Sequence, residues 1–252
     1  MEKTGNIYFA SDSHLGVPDY ASSLKREKLL VAWLDMVKKD AKEIYLLGDI
    51  FDFWFEYKTV VPKGFVRLLG KIAELTDAGI TINYFTGNHD MWVYDYFTTE
   101  LNVTIYREPI VRTYNGKKFY IGHGDGLGPK DYGYKFIKKL FASKINQWLY
   151  ARMHPNFGMW LALYFSRKSR VANGDTDEIY FGEDKERLII YAKELLKQEH
   201  YDYFIFGHRH LPLDLEIAEN SRYINLGDWV KSFLYVKFDG DTLSLNYYKK
   251  NL

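Results

Sequence analysis

Cysteine is absent from this 252-residue chain. That excludes a disulfide framework, thiolate metal sites and a cysteine nucleophile, and leaves histidine and carboxylate to carry any metal. Long apolar runs are missing too: the longest, Phe157 to Phe165, has nine residues, where a bilayer-spanning helix needs about 20. No such helix is expected. With apolar types at 47% and charged types at 27%, disorder, collagen-like repeats and a small stapled scaffold are excluded, and one domain with a modest insertion can bury a substantial core. Met1 to Asn6 leads straight into the strand-like Ile7-Tyr8-Phe9-Ala10 without an apolar signal core, so a cytoplasmic location is expected.

The net charge of +1 hides an uneven distribution. Residues 130–170 hold nine Lys/Arg against one acid, Asp131, which makes this stretch +8 and leaves −7 for the rest. The same stretch is dense in aromatics from Tyr132 to Phe165. A basic, apolar segment is suited to an anion that carries apolar surface, and a lipid is the obvious candidate.

Short apolar runs recur along the chain, and each ends in a polar tip. Ile7–Ala10 precedes Asp12 and His14, Glu43–Leu47 precedes Gly48-Asp49, and Thr81–Phe85 precedes Gly87-Asn88-His89-Asp90. Lys118–Ile121 precedes Gly122-His123, and Tyr203–Phe206 precedes Gly207-His208-Arg209-His210. Helical periodicities separate the first three runs, at Leu29, Leu30, Trp33, Leu34 and Val37 and at Phe65, Leu68, Leu69, Ile72 and Leu75. A third helix is expected over Glu186–Gln198, and closing strands over Tyr223–Leu226, Leu234–Phe238 and Leu243–Tyr248. Strands alternating with helices predict an α/β layered fold with its functional groups at the strands' carboxyl ends.

The first four tips are spaced 37, 39 and 35 residues apart, but the fifth follows after 85. The surplus coincides with the basic aromatic segment and predicts an inserted helical cap. Ile137, Leu140, Phe141, Ile145, Trp148 and Leu149 follow helical spacing, and His154-Pro155-Asn156 interrupts the chain before the second apolar run, so a helical hairpin is expected. The division is then a core of residues 1–130 and 176–252 and a cap of residues 131–175.

Chemically, the tips mix carboxylate and amide oxygens with imidazole nitrogens, a donor set suited to Mn²⁺, Fe²⁺ or Zn²⁺. Asp12, His14, Asp49, Asn88, His123, His208 and His210 are too many ligands for one ion. In chain order, Asp-x-His, Gly-Asp-x-x-Asp, Gly-Asn-His, Gly-His and Gly-His-x-His resemble the calcineurin-like metallophosphoesterase superfamily. The resemblance implies a four-layer αββα sandwich with two divalent metals, most suitably Mn²⁺. It implies that Asp12, His14, Asp49 and His210 hold one ion, that Asn88, His123 and His208 hold the other, and that Asp49 bridges them. Catalytic roles fall to Asn88 and to His89, which would meet the phosphate or protonate the leaving oxygen, with Asp52 orienting it.

Asp-Ser-His-Leu-Gly at 12–16, Gly-Asp-Ile-Phe-Asp-Phe-Trp at 48–54, His-Gly-Asp-Gly-Leu at 123–127, Gly133-Tyr134 and Gly-Asp-Trp at 227–229 resemble, more narrowly, the UDP-2,3-diacylglucosamine hydrolases of lipid A synthesis. That resemblance implies pyrophosphate cleavage in a lipid-linked UDP-sugar at the cytoplasmic face of an anionic membrane. The chain departs from well-known members at two positions, where they carry Glu in place of Asp52 and Arg in place of His89. Phe141, Trp148, Trp160 and Phe165 are expected to line an acyl tunnel, with Tyr134, Asp131, Arg167 and Arg170 toward the sugar phosphate. Nucleic acid is not expected as a partner, because bulky aliphatics interleave the basic residues; no feature sets an oligomeric state. The rival readings are a broader phosphoesterase or nucleotide pyrophosphatase of the same superfamily, and a binding protein on this scaffold without catalysis.

Overall fold

The structure, a computed structural model, describes residues 5–129, 132–173 and 179–248. Two sheets stack face to face. One has six strands in the order β11 (Leu243–Tyr247), β10 (Leu234–Phe238), β1 (Asn6–Ala10), β2 (Ala41–Leu47), β3 (Thr81–Phe85) and β4 (Thr104–Tyr106). The other has five, in the order β5 (Ile110–Tyr114), β6 (Lys117–Ile121), β7 (Tyr203–Phe206), β9 (Ser221–Leu226) and β8 (Pro212–Ala218).

The central strands are apolar on both faces because both faces are covered. Ile7, Phe9, Tyr45 and Leu47 point into the core between the sheets, where they meet Phe119, Ile121, Ile205 and Phe238. Tyr8, Ala10, Ile44 and Leu46 point the other way, against Trp33 and Leu34 of α1 (Tyr20–Val37) and Leu68 and Ile72 of α2 (Val66–Asp77). On the far side, Leu188, Ile189 and Ala192 of α7 (Arg187–Leu196) cover the second sheet. The result is the expected four-layer αββα sandwich.

Helix ends are closed across elements. Asp19 caps α1 by accepting from the Ser22 N–H at 2.9 Å, whereas α2 has no side-chain cap of its own. Buried Glu27 of α1 supplies one, accepting from the Arg67 and Leu68 N–H groups at 2.9 and 3.2 Å. Glu56 does the same for α3 (Tyr96–Leu101), at Asp95 and Tyr96. Each satisfies donors that a helix start leaves unpaired.

Between β6 and α7 the chain forms α4 (Tyr132–Ala142), α5 (Lys144–Tyr150) and α6 (Pro155–Asn173). The continuous first arm expected from the apolar spacing is broken at Ser143, whose φ of −63° and ψ of 121° are extended. Much of the apolar surface of these helices is open: Ile145, Trp148, Trp160 and Phe165 are exposed, at 56–71%, while Tyr150, Leu161 and Leu163 are half-buried.

Candidate metal centre

The carboxyl ends of β1, β2, β3, β6 and β7 meet at one edge of the sandwich, and backbone bonds between their loops fix the assembly. The Asp12 N–H donates to the Gly48 carbonyl at 3.1 Å, His14 to Asp49 at 2.9 Å and Leu15 to Ile50 at 2.9 Å. Arg26, buried on α1, donates to the carbonyls of Ser13, His14 and Val17 and so ties the first loop down. Two glycines permit the approach. A Cβ on Gly48 would lie 2.7 Å from both Gly87 N and His123 Nδ1, and one on Gly87 would lie 2.2 Å from Asp49 Oδ1.

Asp90 holds the second loop. Its buried carboxylate accepts from the N–H groups of Gly87 at 2.7 Å, Ile50 at 2.9 Å, Asp49 at 3.3 Å and Phe51 at 3.4 Å, and from the Tyr84 hydroxyl. Burial, and after it the neighbouring Asp49 charge, pushes this carboxyl up to about 6. The sequence motifs give Asp90 no role; its position directly after Gly-Asn-His marks the loop but not its partners 39 to 41 residues away.

Three groups of donor atoms result, each within 4.8 Å: Asp12, His14 and His210; His14, Asp49 and His89; Asp49, His123 and His208. Asp49 belongs to two of them. Its Oδ2 lies 3.4 Å from His123 Nε2 and 4.0 Å from His14 Nε2. His14 Nε2 and His210 Nε2 face each other at 2.9 Å, and Asp12 Oδ1 lies 3.2 Å from the latter. Asn88 Oδ1 is 3.4 Å from His123 Nε2. His123 donates from Nδ1 to the Leu47 carbonyl at 2.6 Å, which leaves Nε2 as the ligand atom.

These residues fit a pair of cations. Asp12, His14, Asp49, His208 and His210 all have left-handed φ, between 42° and 69°, a strain of order 1–3 kcal/mol per residue that persists where the surroundings impose it. Their charge points the same way. Desolvation pulls His123 down, yet the Asp49 carboxylate outweighs it and holds the imidazole up at about 10. Asp49 itself, although burial raises it, is held well below the usual carboxylate range by His123, His89 and His14. Burial and the neighbouring His123 hold His208 down, so the cradle keeps its proton on His123 in particular, and a divalent cation would displace that proton.

His89 Nδ1 lies 3.1 Å from the Asp52 backbone carbonyl, whereas the Asp52 carboxylate is 3.7 Å away, beyond hydrogen-bonding reach. Arg209, between two candidate ligands, turns away to pair with buried Glu186 at 3.0 Å. Asn225 supports the last loop by donating to the Gly207 carbonyl at 2.6 Å, while Asp228 caps a turn at Val230, Lys231 and Ser232.

The cap joins this edge at several points. The Tyr134 hydroxyl donates to Asp125 at 2.6 Å and Lys138 pairs with the same carboxylate at 2.8 Å. Trp92 Nε1 donates to the Phe141 carbonyl at 2.9 Å, and Trp92 and Phe55 pack on Tyr150. Phe141, Trp148, Trp160 and Phe165 are 43–59% exposed, so these side chains stand open to solvent rather than enclosed in a tunnel. Asp131 and the side chains of Arg167 and Arg170 lie outside the described residues.

Residues 5–212 match the family model for calcineurin-like phosphoesterases. The chain belongs to that family. A UDP-2,3-diacylglucosamine hydrolase of Porphyromonas gingivalis is 40% identical, over 95% of this chain and 96% of its own. One from a Shewanella species is 27% identical, over 88% of each chain. Among solved structures, a conserved Streptococcus pneumoniae protein described as a predicted phosphoesterase aligns with a TM-score of 0.43 at 14% identity, covering 96% of this chain and 87% of its own.

Proposed function

We propose that this chain hydrolyses UDP-2,3-diacylglucosamine to UMP and 2,3-diacylglucosamine 1-phosphate, working from the cytoplasm at an anionic membrane surface. The observation that carries the reading is an open, basic and aromatic cap seated against an Asp49-centred cradle, in a chain 40% identical to a hydrolase of that name.

Asp12, His14, Asp49 and His210 would hold one cation, and Asp49, Asn88, His123 and His208 a second, with Mn²⁺ the foremost choice and Fe²⁺ or Zn²⁺ the alternatives. A cation pair held by these residues would supply Lewis-acid charge for phosphoryl oxygens and lower the pKa of a bound water. His89, with Nδ1 engaged by the Asp52 carbonyl, presents Nε2 for the phosphate or leaving oxygen. Phe141, Trp148, Trp160 and Phe165 receive the acyl chains, where each buried methylene gains about 0.8 kcal/mol. Lysines such as Lys139 and Lys144 add about 1 kcal/mol each at an anionic surface. In this reading residues 131–175 act as the lipid-binding cap, with Tyr134, Asp131, Arg167 and Arg170 toward the sugar phosphate, and residues 1–130 and 176–252 as the hydrolytic core. Among the described residues no helix is long and apolar enough to cross a membrane, so attachment runs through the cap.

The test is incubation of purified protein with Mn²⁺ and radiolabelled lipid nucleotide. UMP release is expected. Failure to release it while simple phosphodiesters are turned over would contradict the substrate assignment and favour a broader phosphoesterase, a reading to which the Asp52 and His89 departures lend weight.

A further inference from the structure

His89 is oriented from two sides. The core supplies the Asp52 backbone carbonyl, 3.1 Å from Nδ1. The cap supplies Ser166 of α6, whose Oγ donates to Asp52 Oδ2 at 2.7 Å and lies 3.3 Å from His89 Nδ1. The hydroxyl has one proton, and the buried carboxylate takes it. The oxygen's lone pairs are then left for the imidazole N–H. Ser166 therefore links His89 Nδ1 to the Asp52 carboxylate through Oδ2, while Oδ1 stands 3.7 Å from Nδ1 without a direct bond. Both contacts require the proton on Nδ1, which leaves Nε2 as the nitrogen with an in-plane lone pair on a ring grouped with the donor atoms of His14 and Asp49 within 4.8 Å. A serine that ends the nine-residue apolar run Phe157–Phe165 is also out of keeping with a purely apolar helix face.

We propose that Ser166 is a positioning residue for phosphoester cleavage: from the cap, it locks the Asp52–His89 pair in the Nδ1–H orientation and so makes correct seating of α6 a condition of full activity. The proposal rests on the hydrolase reading above and extends it to a residue 114 positions from Asp52 in the chain.

The test compares Ser166→Ala, Ser166→Thr, His89→Ala and the double variant Ser166→Ala/His89→Ala in the metal-loaded enzyme, with bis(p-nitrophenyl) phosphate and the lipid nucleotide as substrates. Ser166→Ala should lower kcat on the small diester on the order of tenfold, as losses of supporting hydrogen bonds around reactive groups do, with KM nearly unchanged. Ser166→Thr, which keeps the hydroxyl, should recover most of it. In the His89→Ala background the serine effect should vanish. Histidine ¹⁵N spectra of the Zn²⁺-loaded protein give a readout apart from activity: His89 should be the Nδ1–H tautomer in the parent and a mixture in Ser166→Ala.

Parent-like kcat and an unchanged His89 spectrum in Ser166→Ala would overturn the proposal. So would a kinetic loss that persists undiminished without His89, since that assigns Ser166 to cap folding alone. Failure of the parent to release UMP while cleaving the diester overturns the lipid reading and leaves the serine assignment to be decided by the diester kinetics and the spectra.

Discussion

At the cradle, Asp12, His14, Asp49 and His123 are buried and Asn88, His208 and His210 half-buried, and each supporting loop is fastened by backbone bonds, by Arg26 or by Asp90. Around Trp148 and Trp160, by contrast, side chains stand more than half exposed, and the helices bearing them meet the core through contacts such as Tyr134–Asp125, Trp92–Phe141 and Ser166–Asp52. Under the proposed function, the difference follows from what each region would hold. Cations and a phosphoryl group need donors placed to fractions of an ångström, which only over-determined packing provides. Acyl chains have no directional chemistry, and an open apolar face receives them at little cost in prior order.

The contrast breaks most completely at its rigid end. Asp49→Ala removes the donor shared by two groups and should abolish hydrolysis, by on the order of 10⁴-fold; metal analysis should find less than the parent's content, and chelation of the parent should mimic the loss until Mn²⁺ is restored. Asp90→Ala comes next. It strands several buried N–H donors at about 1–3 kcal/mol each, so a loss of at least about 3 kcal/mol is expected, read as a fall in Tm of roughly 6–12 °C.

At the loose end, Trp148→Ala and Trp160→Ala should leave Tm nearly unchanged, because exposed substitutions stay within about 0.5 kcal/mol. They should raise KM for the lipid nucleotide several-fold without altering turnover of bis(p-nitrophenyl) phosphate. The smallest effect is expected from Lys139→Glu with Lys144→Glu, which should weaken binding to anionic vesicles, by about 1 kcal/mol per lysine removed, and flatten its salt dependence in a sedimentation assay. Equal losses on both substrates from either tryptophan variant would erase the distinction between the regions.

The same contrast governs what could be read from the sequence. The central strands and their tips were legible because apolar runs buried on both faces are unmistakable and the Asp, Asn and His motifs close each one. Strands β4, β5 and β8 and helix α3 were not, since Thr104–Tyr106 is too short for periodicity and Ile110–Tyr114 and Pro212–Ala218 are edge strands with mixed burial. Helical spacing ran unbroken from Ile137 to Leu149 and concealed the break at Ser143. Asp90 and Ser166 were beyond reach for another reason: their roles lie in contacts with Ile50 and Asp52, 40 and 114 residues away, which no local pattern encodes.

Electron paramagnetic resonance of the protein titrated with Mn²⁺ reads out directly whether the cradle holds a pair, because two ions sharing the Asp49 carboxylate are magnetically coupled. Two ions should bind per chain, with an exchange-coupled spectrum that Asp49→Ala converts to isolated ions. A parent protein that saturates with one uncoupled ion would contradict the paired site.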